Sequence, residues 1–151
     1  MSKLKAYGFC DNILTWVKSF LSNRRQRVVM GENYSEWSSV TSGVPQGGVL
    51  SPLIFVIFIN DMPNVVHHII KLFADDSKLI GILKDDNDAH LLQKDLDSLV
   101  KWADDWKMMF HPDKCKTMEI TISNKINSNP HVFHMYDAFS KSKQIHRWNG
   151  I

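Results

Sequence analysis

The sequence predicts an α+β fold with antiparallel strand pairing. Three observations carry this. Helix-like and strand-like stretches follow one another as helix, hairpin, loop and helix, hairpin, helix, strand, without βαβ alternation. The β-prone stretches come in pairs split by short polar interruptions, the mark of hairpins. A length of 151 residues, 44% hydrophobic and 23% charged, suits one packed domain or a piece of one. That balance excludes a disordered tail, and Gly 7 and Pro 5 exclude collagen-like chains.

Each element has its own reason. In residues 11–22, Ile13, Leu14, Val17, Phe20 and Leu21 recur at helical spacing, with Asp11 or Asn12 placed to cap the start. Residues 26–41 read as a hairpin whose two runs are interrupted by Gly31, Glu32 and Asn33. Residues 43–48 hold three glycines and a proline, which extend neither a helix nor a strand, so they form a loop. Ser51 and Pro52 suit the cap and first turn of a helix. Residues 53–61 are apolar nearly all round, which predicts burial. Residues 67–83 are two β-branched stretches around Ala74-Asp75-Asp76-Ser77, a hairpin with carboxylates at its tip. Residues 88–109 carry Leu92, Leu96, Leu99, Val100, Ala103 and Trp106 on one helical stripe. His111-Pro112-Asp113 ends that helix, and residues 115–122 alternate like a strand. Residues 123–131 are polar and loop-like, and residues 132–136 and 143–151 are candidate short strands.

The longest apolar run, residues 53–59, falls far short of the roughly 20 residues a membrane span needs. The N-terminus has no signal-like apolar run. Cys10 and Cys115 match no disulfide or zinc spacing, so the expected setting is reducing and intracellular, cytoplasm or nucleus. Charge comes in blocks. Residues 1–41 carry six Lys/Arg, including Arg24, Arg25 and Arg27, against three acids, whereas residues 71–119 carry eight Lys against eleven acids. A basic stretch beside an acidic centre suits a polyanion passing a metal site, although solvated faces of opposite sign give the same pattern.

Adjacent aspartates inside an apolar run are costly unless something compensates them. Successive strand residues point to opposite faces, so only a turn lets Asp75 and Asp76 approach one ligand. A hard cation such as Mg²⁺ is the usual compensation, and a two-metal site wants a third carboxylate plus substrate phosphates. The alternative is an exposed turn with no ligand. The remaining constellations are weaker. Asp85, Asp86 and Asp88 read as helix-start charge rather than a calcium loop. His67-His68 and His131 with His134 lack zinc-ligand spacing, and Trp102 and Trp106 read as core. No P-loop or dinucleotide fingerprint occurs.

Residues 43–52, Gly-Val-Pro-Gln-Gly-Gly-Val-Leu-Ser-Pro, followed by Phe73-Ala74-Asp75-Asp76, resemble the reverse transcriptases of non-LTR (LINE-type) retrotransposons, especially the jockey-like group. Residues 20–28, Asn60-Asp61-Met62-Pro63 and residues 102–118 are similar as well, and residues 134–151 weakly so. The resemblance implies a polymerase palm subdomain, an antiparallel sheet packed on helices, over residues 1–123, with residues 124–151 a loop and primer-grip region. It implies RNA-directed DNA polymerisation: nucleotidyl transfer from dNTP to a primer 3′-hydroxyl, with RNA template and DNA primer as partners and two Mg²⁺ ions as cofactor. Residue by residue, Asp75 and Asp76 would ligate the metals, and Lys114 would be general acid to the pyrophosphate leaving group. Gly43, Pro45, Gln46, Gly47 and Phe73 would line the substrate and template site. Arg24, Arg25 and Arg27 would contact nucleic-acid backbone, and Gly150 would mark the primer grip.

The family's first catalytic aspartate lies in a strand upstream of the helix at residues 11–22, and no carboxylate before Asp11 stands in such a strand. Fingers, first palm strand and thumb have no counterpart in the sequence either. The expectation is therefore a fragment that is inactive alone, unstable unless the missing parts of the polymerase or another copy cover its open edges. A non-catalytic nucleic-acid-binding or protein-interaction remnant of the palm is the competing reading.

Overall fold

The computed structural model describes residues 1–118, 120 and 131–135. The chain divides into two compact units, Met1–Asn60 and Asp61–Ile151.

The first unit opens with helix α1 (Ser2–Ala6) and helix α2 (Asp11–Leu21). Cys10, not Asp11 or Asn12, is the N-cap of α2, and no side chain caps it. Asp11 sits instead in the first turn, where its charge favours the helix N-terminus without a specific hydrogen bond. The chain leaves α2 through Asn23 at φ 55°, a conformation asparagine tolerates better than most residues.

A nested hairpin follows. Strands β1 (Arg25–Gln26) and β4 (Ser38–Ser39) pair antiparallel, and inside them β2 (Val29–Met30) pairs with β3 (Asn33–Tyr34). Gly31 turns the tip at φ 62°, which a residue without Cβ adopts freely. Ser35 joins the two ladders: its hydroxyl accepts from the Val28 N–H at 2.8 Å and donates to the Glu36 carbonyl at 3.1 Å.

Helix α3 (Leu50–Ile59) starts two residues earlier than the Ser-Pro signal predicted. Val49 is the N-cap, while Ser51 lies within the helix, buried. The expected burial of the whole helix is not met. Ile59 is buried but Leu53 and Val56 are about half exposed, because the short α1 covers only one side of a helix that is apolar on every side. Lys3 donates to the Phe58 carbonyl, and the Asn60 amide donates to the Tyr7 hydroxyl at 2.7 Å.

The second unit holds a 3₁₀ turn (Met62–Val65), strands β5 (Ile69–Phe73) and β6 (Asp76–Ile80), and the long helix α4 (Asp86–Asp105). Its core is Met62, Leu99, Trp102 and Ala103, with the Trp102 indole N–H donating to Asp61 at 3.2 Å. Trp102 is thus core, as its helical spacing predicted. The acids at 85, 86 and 88 are a helix start, also as predicted. The Asp85 carboxylate accepts from the Asp88 N–H at 3.0 Å, and the Asp88 carboxylate accepts from the Lys84 N–H at 2.8 Å.

Helix α4 ends at Asp105, four residues short of the expected 109. The Lys107 N–H donates to the Asp104 carbonyl and the Met108 N–H to the Ala103 carbonyl, the two bonds of a Schellman stop. Lys107 takes the left-handed position at φ 56°, where glycine is usual.

Beyond it, Pro112–Lys114 is a 3₁₀ turn, and residues 115–118 form no strand, contrary to their alternating pattern. Nor do residues 132–135; the rest of that stretch and residues 143–151 lie outside the described residues. The Gln93 amide bonds this segment from both sides, donating to the His134 carbonyl at 2.8 Å and accepting from its N–H at 2.9 Å. A side chain satisfies the backbone groups that a neighbouring strand would have used. Among the described residues the strands form three separate two-stranded ladders rather than one sheet.

Candidate functional site

The carboxylate hairpin lies in the second unit. Phe73 pairs with Asp76, so Ala74 and Asp75 are the two residues of its turn. Ala74 takes φ 52°, a strained conformation for a residue with a Cβ. The strain is what makes the reversal tight enough to place consecutive carboxylates at one tip. Both Asp75 and Asp76 are exposed, and neither is in an ion pair among the described residues. The desolvation cost attached to aspartates in an apolar run therefore does not arise: solvent meets them at the turn.

Register sorts the rest of the hairpin. Ile69 faces Ile80, Lys71 faces Lys78 and Phe73 faces Asp76, and all six are exposed on one side. Phe73 is 82% exposed beside the carboxylates. Two lysines directly opposite each other repel, so this face has a concentrated positive charge next to the acidic tip. The sequence reading missed Lys71 and Lys78; counting outward from the Ala74-Asp75 turn would have paired them.

The foot of the hairpin is fixed by a residue that the sequence reading also missed. Asp95, on α4, is 1% exposed. Its carboxylate accepts from the His67 N–H at 3.0 Å and the His68 N–H at 2.8 Å, and the two imidazole Nδ1 atoms lie at 3.1 and 2.8 Å. Burial alone would raise its pKa, but the backbone bonds from His67 and His68 and then the two imidazoles outweigh it and lower it from 3.8 to about 2. One carboxylate thus holds both His67 and His68. The signal for Asp95 was an acid inside the apolar stripe, between Leu92 and Leu99. Gly81, just past β6, completes the seating: a Cβ there would come within 3.1 Å of Leu92 and 3.2 Å of His68.

Lys114 is exposed at the end of the 3₁₀ turn, its N–H donating to the His111 carbonyl at 3.0 Å. Gly150 lies outside the described residues.

The first unit carries the glycine-proline-glutamine loop. Gly43 and Gly47 have φ of 72° and 82°, so two of its turns need glycine. Pro45 is half-buried and Gln46 exposed. Arg24 organises the entrance: it donates to the carbonyls of Leu21, Ser42 and Gly43, tying the end of α2 to the loop. Arg25 and Arg27 are exposed and lie over aromatic rings. The three arginines, grouped together by sequence, therefore have different surroundings.

Among the described residues no three His, Cys, Asp or Glu side chains gather as a cation cage, and no helix is long and apolar enough to cross a membrane. Residues 1–146 match the family described as reverse transcriptase (RNA-dependent DNA polymerase). The chain belongs to the reverse transcriptase family. Its relatives include RNA-directed DNA polymerases of mobile elements. It is 32% identical over 144 residues to the RNA-directed DNA polymerase from mobile element jockey of Drosophila melanogaster, covering 89% of this chain and 15% of that one. It is 34% identical over 107 residues to the probable RNA-directed DNA polymerase from transposon BS of the same fly, covering 65% of this chain and 12% of that one. The jockey polymerase of Drosophila funebris is 31% identical over 127 residues, 77% of this chain and 13% of that one. The reverse transcriptase chain described here thus spans less than a sixth of the length of these relatives. No solved structure matches it at a significant level.

Proposed function

We propose that the chain is a palm portion of an RNA-directed DNA polymerase, in which Asp75 and Asp76 hold divalent cations for nucleotidyl transfer from dNTP to a primer 3′-hydroxyl on an RNA template. The observation that carries this reading is the tight turn at Ala74, which puts the consecutive, exposed Asp75 and Asp76 at the hairpin tip next to an exposed phenylalanine. The donor set fits Mg²⁺: carboxylate oxygens, hard and without ion-pair partners among the described residues. Bound there, a divalent cation supplies neutralisation of charge developing on the phosphoryl oxygens.

The chain's own residues do the rest. Phe73 offers a flat apolar contact to the primer or template. Gly43, Pro45, Gln46 and Gly47 line the nucleotide and template site, Gln46 donating or accepting through its free amide. Lys114 gives a proton to the pyrophosphate leaving group and neutralises it. Lys71, Lys78, Arg25 and Arg27 meet backbone phosphates, and Arg24 holds the loop in place. Residues 1–123 form the palm portion, and Gly150 belongs to a primer grip.

A polypeptide of these 151 residues alone is expected not to extend a primer, since two carboxylates under-neutralise two Mg²⁺. The absence of a three-carboxylate cluster among the described residues favours, as a second reading, a surface that binds nucleic acid without catalysis. Two measurements decide. Primer extension on an RNA template with Mg²⁺ should yield no product; incorporation that Asp75→Ala abolishes would overturn the inactivity. Binding of an RNA–DNA hybrid should strengthen severalfold on adding Mg²⁺, and this gain should vanish in Asp75→Asn. Equal binding with and without Mg²⁺ in the unaltered chain would sink the metal reading and leave the non-catalytic one.

A further inference from the structure

In the nested hairpin of the first unit, arginines that the polymerase reading assigns to backbone phosphates lie on two aromatic rings that it does not use. The Arg27 guanidinium lies 4.4 Å from the centroid of Tyr34 and 4.8 Å from that of Trp37, and Arg25 lies 5.5 Å from Trp37. Two rings and two guanidinium groups are thus layered on one exposed hairpin. Tyr34 is 60% exposed and Trp37 50%, so each ring keeps surface for another flat partner. Arg25 and Arg27 have no hydrogen bond or ion pair among the described residues; Glu32 and Glu36, the acids of this hairpin, leave them unpaired. Neighbouring Arg24 spends its donors on three carbonyls.

A guanidinium lying on a ring uses its face and leaves its N–H edge pointing outward. That edge suits phosphate oxygen, while a ring's uncovered face suits a nucleobase. Aromatic rings and arginines alternating on a solvated hairpin therefore match a polyanion whose units each carry one flat group. In a duplex the bases already stack on each other and offer no face, so the match is to an unpaired strand.

We propose that Tyr34 and Trp37 are a stacking platform for single-stranded nucleic acid, with Arg25 and Arg27 contacting its phosphates. Recognition is by stacking and charge, so it tolerates any base sequence. The proposal rests on the polymerase reading only for which strand is held, an unpaired template segment being the strand that reading supplies.

The test is fluorescence anisotropy of the full chain with a labelled oligouridylate of about twelve nucleotides and with a blunt duplex of the same length. Replacing both rings, Tyr34→Leu with Trp37→Leu, should weaken oligouridylate binding about 10- to 100-fold and leave the duplex within about twofold. Tyr34→Phe with Trp37→Phe should retain most of the affinity. Arg25→Gln with Arg27→Gln should weaken both ligands and reduce the slope of log affinity against log salt by about 1–2. Unchanged oligouridylate binding in the leucine pair, or equal loss for strand and duplex, would overturn the platform. A readout on the unaltered chain guards against a misfolded variant: the uridine H5 and H6 resonances should move upfield on binding, and their staying in place would equally overturn it. In the unaltered chain, equal hybrid binding with and without Mg²⁺ while oligouridylate stacking is intact would count against the polymerase reading alone, and the converse against the platform alone.

Discussion

A carboxylate at 1% exposure that accepts from two consecutive backbone N–H groups anchors the foot of β5 to α4 through Asp95. Removing that acceptor takes the partner from two part-buried backbone donors. Asp95→Ala should therefore cost about 2–4 kcal/mol, read as a lower urea midpoint at pH 7. The pH dependence has a definite sign. Its carboxyl titrates at about 2 when folded and 3.8 otherwise, so its contribution is complete above pH 4 and disappears as pH falls from about 4 to 2. That difference is worth roughly 2 kcal/mol. The stability gap between the unaltered chain and Asp95→Asn should narrow across that interval; a gap constant from pH 6 to 2 would contradict the assignment. Asp95 went unread in the sequence because its partners are main-chain groups, which no residue pattern displays. Asp75 and Asp76 were readable because their setting is local: four residues between two β-branched runs suffice to place them on a turn.

At the scale of elements, the ends were harder to read than the middles. The stripe of α4 is clear in the spacing of its leucines, yet Met108, Met109 and Phe110 continue the apolar rhythm past the place where the helix stops. The stop is a Schellman turn built on lysine, and without glycine it has no sequence mark. Lys107→Gly should relieve the left-handed backbone and stabilise the chain by about 1 kcal/mol, raising the thermal midpoint by a few degrees; a lower midpoint would show that the lysine stem packs usefully. Residues 115–118 form no strand for a related reason. Alternation describes what a strand needs, but a strand also needs a paired neighbour. For residues 131–135 the Gln93 amide takes that neighbour's place.

At the scale of the molecule, the described residues bury few large side chains. Leu4, Val17 and Ile59 are the buried apolar residues of the first unit and Met62, Leu99, Trp102 and Ala103 those of the second, while Trp16, Met30, Leu53, Phe73 and Met109 are at least half exposed. Apolar surface on that scale drives association. The chain should enhance the fluorescence of an apolar dye under native conditions and elute earlier from a sizing column as its concentration rises; a concentration-independent monomer without dye binding would show that these surfaces are already covered. The α+β class and both hairpins were legible because each rests on contacts between near neighbours in sequence. The exposure of α3 was not, since all-round apolarity states what a helix wants covered and not what is present to cover it. One detail of the carboxylate turn reaches beyond genetics. Ala74 occupies the backbone region that a mirror-image amino acid prefers. A chain assembled by chemical ligation with D-alanine there would hold both aspartates in place with less cost than the ribosome's own product.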